Sequence, residues 1–77
     1  KVFQDMTLWR WALVNGEQSD YTIGAGRRVW IQVVKGAVTV NGIQATTSDG
    51  LAVWDEHAIT VTATEDSEVL LFDLPAV

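Results

Sequence analysis

Residues 26–42 read GRRVWIQVVKGAVTVNG, and this stretch decides the fold class. From Arg28 to Val34 the side chains alternate with the two-residue period of a strand. Val29, Ile31 and Val33 fall on one face, Trp30 and Val34 on the other. Apolar residues on both faces predict a strand covered on both sides. After Gly36, Val38 and Val40 share a face and Thr39 takes the opposite one. Asn41-Gly42 then reads as a hairpin turn of type I′, in which both central residues need φ > 0.

The same alternation extends in both directions. Upstream, MTLWRWALV (6–14) puts Trp9, Trp11 and Leu13 on one face, with Met6, Leu8, Ala12 and Val14 on the other, where Arg10 interrupts them. SDYTIG (19–24) is a weaker strand. Downstream come a turn at SDG (48–50), a strand at LAVW (51–54), a strand at AITVTA (58–63) with Ile59 and Val61 inward, a charged turn at TEDSE (64–68), and a last strand at VLLFDL (69–74) that Pro75 stops. Seven or eight short strands with turns every eight to twelve residues predict an all-β sandwich or barrel.

Bulk composition narrows the function. A 77-residue chain is at most one small domain. It is 48% hydrophobic and 19% charged, a globular rather than a disordered balance. Cysteine is absent, which excludes disulfides and cysteine zinc sites and fits the cytoplasm. A net charge of −5, with five scattered basic residues, argues against nucleic acid, which needs clustered Lys and Arg. No apolar run approaches the ~18 residues of a membrane span. The chain opens at Lys1 in mid-pattern, which suggests a piece of a longer protein.

The order of strands and turns resembles one half of a cupin, a small jelly-roll β-barrel. More narrowly, KVFQD, GRRVWIQVVKGAVTVNG, SDGLAVWDEHAITVTA and EVLLFDLP resemble the C-terminal domain of bacterial pirin-like bicupins, a family often described as quercetin 2,3-dioxygenases. The resemblance implies that residues 1–77 are a single C-terminal cupin domain. Its metal-binding N-terminal barrel would be absent here, and that barrel would be the partner of the same chain. A homodimer is a further expectation, with no nucleic acid and no membrane.

The first cupin motif is Gly, five residues, His, any residue, His, three or four residues, Glu, six residues, Gly. Anchored on Gly36 with the four-residue spacer, it begins at Gly16, but its ligand positions hold Thr22, Gly24 and Val29. Anchored on the Asp49 turn, the second motif places its His on Ile59 and its Pro and Gly on Trp54 and Glu56. A transition-metal ion needs about three or four converging donors. Thr22 is a poor ligand, and Gly24, Val29 and Ile59 offer none. The expectation is therefore a domain with no metal, no cofactor and no catalytic residue of its own.

Three further features are candidates. His57, the one imidazole, reads as a partly exposed turn residue, with a weak metal ligand beside Asp55 or Glu56, or a pocket or interface contact, as the alternatives. Asp55 and Glu56 read as solvated turn carboxylates, though with His57 they could serve an independent enzyme. Glu65, Asp66 and Glu68 read as charges that block strand pairing. The tryptophans Trp9, Trp11, Trp30 and Trp54 either fill the core or form an apolar surface against a partner, Trp9 and Trp11 being the better candidates for the surface. A small-ligand module remains as another reading, its emptied barrel lined by Trp30, Trp54, Val33 and Val38.

Overall fold

The computed structural model describes residues 6–53 and 57–75. Eight strands follow one another: β1 (Thr7–Leu13), β2 (Gln18–Thr22), β3 (Arg27–Lys35), β4 (Ala37–Val40), β5 (Ile43–Thr46), β6 (Gly50–Val53), β7 (Ala58–Ala63) and β8 (Ser67–Pro75). The two-residue period that writes them in sequence also sorts their side chains in space. In β7, Ile59, Val61 and Ala63 are buried; in β8, Ser67, Val69, Leu71 and Asp73 are buried while Glu68, Leu70, Phe72 and Leu74 point away.

Two four-stranded antiparallel sheets result, ordered β1-β8-β3-β6 and β2-β7-β4-β5. Each draws strands from both halves of the chain, and the first and last strands lie side by side. This is the jelly roll expected. Its hydrogen-bonded ladders stop at the two sheets, so the barrel is flattened into a sandwich. Between the sheets lies an aliphatic core that includes Val29, Ile31, Val33, Val38, Val40, Ile59, Val61, Val69 and Leu71. Burial of such side chains contributes about 1.5–3 kcal/mol each.

Two joints fix the register, the first within the β2-β7-β4-β5 sheet and the second between the sheets. At the Asn41-Gly42 turn both φ values are positive, 49° and 86°, as a type I′ turn requires. The Asn41 side chain does more than turn: its Oδ1 accepts the Thr60 N–H at 2.8 Å and its Nδ2 donates to the Ala58 carbonyl at 3.2 Å. The second joint is Gly36, where the chain crosses from one sheet to the other with φ 95°. A Cβ there would strike the Ser67 Oγ and the Asp66 carbonyl oxygen. The Ser67 hydroxyl is committed as well, accepting the Ala37 N–H at 3.0 Å and donating to the Glu65 carbonyl at 2.7 Å.

The structure corrects three sequence expectations. β3 is covered on one side only: Trp30 is 40% exposed and Val34 is exposed beside a register break between Val33 and Lys35. A bulge of that kind cannot be read from apolar alternation, which reports the period and not what packs against each face. The charged turn is shorter than TEDSE, because Ser67 and Glu68 already belong to β8, paired with Leu13 and Ala12. Finally, among the described residues the core holds no tryptophan; Trp11 packs against it from the side.

Candidate functional site

The positions where a cupin metal site would be built do not converge. Val29 and Ile59 face inward and are 1% and 0% exposed, packed as core. Thr22 pairs with Ala58 on the β2–β7 ladder and is exposed, with Asp20 and Gln18 on the outer face. Gly24 has no side chain. One donor pointing outward and two aliphatics pointing inward cannot surround an ion, so the residues present do not fit the family's metal. Among the described residues no group of three His, Cys, Asp or Glu could hold one. His57 is exposed, and its use to the fold is through its backbone: its carbonyl accepts the Ile23 N–H at 2.8 Å.

What stands at the seam of the sandwich is a polar clasp that sequence reasoning missed. Asp73, on β8, is 7% exposed. Its Oδ1 accepts from Arg27 Nε at 2.6 Å, its Oδ2 accepts from the Tyr21 hydroxyl, and its carbonyl accepts from Arg27 at 3.2 Å. Tyr21 comes from β2 in one sheet, Asp73 and Arg27 from the other, so the clasp bolts the two together. Burial, and then the bond to Asp73, raise the Tyr21 phenol above its ordinary value. Trp9 and Trp11 meet the Tyr21 ring edge-on, each at 6.4 Å. The sequence carried half the signal: alternation groups Asp73 with Val69 and Leu71, and the structure turns that face inward, where a carboxylate demands partners.

The outer face of the β1-β8-β3-β6 sheet is of another kind. Leu8, Phe72, Trp30 and Ala52 stand in register across all four strands. The Trp30 ring lies over Gly50, where a Cβ would strike it, and its Nε1–H donates to Gln32 Oε1 at 3.4 Å. Beside it opens a hollow of about 310 Å³ lined by Arg28, Val29, Trp30, Ala52 and Leu74. At the far end Arg10 and Glu68 form an ion pair, which lowers the Glu68 carboxyl and raises the Arg10 guanidinium.

The tryptophan candidates are thus separated. Trp9 and Trp11 sit at the seam with Tyr21, Trp30 lies on the outer face, and His57 stands at the start of β7. Trp54 lies outside the described residues, as do Asp55 and Glu56. The interior pocket of the small-ligand reading is not assembled as expected: Val33 and Val38 are core, whereas Trp30 is on the outside.

A jelly roll whose first-motif positions hold Thr22, Gly24 and Val29 defines a cupin-type domain, with no metal cluster among the described residues. The chain belongs to the family described as the quercetinase C-terminal cupin domain, which it matches over residues 1–74. It is 69% identical over all 77 residues to a quercetin 2,3-dioxygenase of Escherichia coli K12, covering 33% of that protein. Among solved structures it resembles the bacterial pirin YhhW of E. coli in complex with nickel(II), with TM-score 0.95 and 68% identity over 99% of this chain and 33% of that one. A quercetin 2,3-dioxygenase of Acinetobacter baumannii shares the fold at TM-score 0.82 and 22% identity, over 99% of this chain and 27% of that one. The chain spans about a third of the length of the curated relatives named here. No helix among the described residues is long and apolar enough to cross a membrane.

Proposed function

We propose that these 77 residues act as the metal-free structural domain of a cytoplasmic two-barrel pirin-like protein. The domain packs on the N-terminal barrel, shapes the entrance to that barrel's metal pocket, and contributes to dimer contacts. By similarity to the quercetin 2,3-dioxygenase relatives, the whole protein oxygenates a flavonol such as quercetin at a divalent metal held outside these residues.

The observation that carries this reading is the use of Val29 and Ile59 as core. Side chains that close the interior of the sandwich cannot also present lone pairs to an ion. The test uses the full-length protein carrying these residues, with Thr22→Ala and His57→Ala combined. After dialysis, elemental analysis should find the same equivalents of divalent metal per chain as in the parent. Loss of a whole equivalent would overturn the proposal.

A further inference from the structure

We infer that the outer face of the β1-β8-β3-β6 sheet is the surface on which the preceding domain of the longer chain docks. The inference rests on the structural role proposed above and names the side chains that serve it. The first ground is the difference between the two outer faces of one small molecule. The outer face of β2-β7-β4-β5 carries Gln18, Asp20, Thr39, Gln44, Thr60 and Thr62, the polar dress of a sheet that faces water. The other carries the Leu8–Phe72–Trp30–Ala52 row, with Leu70 and Leu74 adjoining it on β8. Trp30, 40% exposed, is held flat by Gly50 and Gln32. A rigid aromatic already fixed in place loses little entropy when a partner covers it.

Size decides between occupants. Four strands about 4.8 Å apart and about seven residues long present a face on the order of 400 Å². Covered by a second copy, it would bury roughly 800 Å² in total, short of the 1,200–2,000 Å² of stable interfaces between separate chains. Domains in one chain, by contrast, pack through about 600–1,500 Å², because the tether supplies the effective concentration that area would otherwise have to provide. The chain that could supply such a domain exists in the relatives, which are about three times as long as these 77 residues.

Charge specifies the other side. Arg28 rims the 310 Å³ hollow, and no acidic side chain among the described residues pairs with it. The docking surface therefore presents an apolar side chain to the hollow and a carboxylate or carbonyl group to Arg28.

Single cysteines placed in the full-length protein test this, with labelling of each engineered thiol read by peptide mass. Leu8→Cys and Ala52→Cys mark the two edges of the apolar row, and Gln44→Cys is the exposed edge-strand control on the polar sheet. The expected result is labelling at least tenfold slower at positions 8 and 52 than at 44, unchanged when the protein is diluted to a monomer. Equal rates at the three positions overturn the inference. So does protection that vanishes on dilution, which would assign the face to a second copy. Either result leaves the metal stoichiometry test above untouched, so the two readings fail separately.

Discussion

Tyr21, Asp73 and Arg27 concentrate the polar chemistry of the interior in three side chains, and their energetics follow from burial. Both Asp73 carboxylate oxygens are occupied. Removing the Tyr21 hydroxyl costs about 1–2 kcal/mol at neutral pH, since the remaining oxygen keeps its charge without that donor. Removing the Asp73 carboxylate takes one acceptor from the partly buried Arg27 and another from Tyr21, so Asp73→Ala should cost more than Tyr21→Phe. The phenol also sets an alkaline limit. Its folded pKa is raised, so below about pH 10 neither folded nor unfolded chain is ionised at this group and its contribution is whole. As pH rises from there through the raised value, the unfolded chain releases its proton first and stability falls. Thermal melts at pH 8 and pH 11 should show a smaller alkaline loss for Tyr21→Phe than for the parent. An equal loss would mean that the hydroxyl carries no linkage.

At the scale of elements, the strands were legible and their coverings were not. VLLFDL leaves the choice open, because Leu70, Phe72 and Leu74 make its outer face as apolar as its inner one; AITVTA declares its inward face, because the threonines flanking Val61 leave one assignment. RVWIQVV does not, because Trp30 and Val34 look the same in sequence whether water, a sheet or another domain lies over them. The ligandless motif was equally legible, since a missing His is visible in the letters themselves. The clasp was not, because it joins Tyr21 to Asp73 across 52 positions and only the register brings them together. Gly36 was legible as a turn glycine, while its reason for being glycine is spatial: its φ is 95°, and Ser67 and Asp66 close the room for a side chain. Gly36→Ala thus meets a conformational penalty and a backbone collision together. It should lower stability by about 2–3 kcal/mol, measured by urea denaturation, with the midpoint displaced and the slope kept. Gly16→Ala is the comparison, because it shares the positive φ and has open space around it. If the two variants were equally stable, the collision would play no part.

For the whole molecule, a filled interior is set beside an apolar outer sheet face. The interior's capacity for an ion can be probed by placing the motif's ligands there. Val29→Glu with Ile59→His places a carboxylate and an imidazole where two aliphatic side chains are fully packed. Each exchange loses apolar burial and sets an unpaired polar group in the core, together about 3 kcal/mol or more. The expected outcome is a marked drop in melting temperature that added nickel or iron does not reverse. Recovery of the parent melting point on adding metal would show that the interior can still close around an ion.

That packing also fixes a direction in time. With Val29 and Ile59 structural, coordination cannot be built one substitution at a time, because the first ligand lowers stability before the second can contribute anything. The two positions act as a ratchet: the solidity of the sandwich is itself the barrier to any ion entering it.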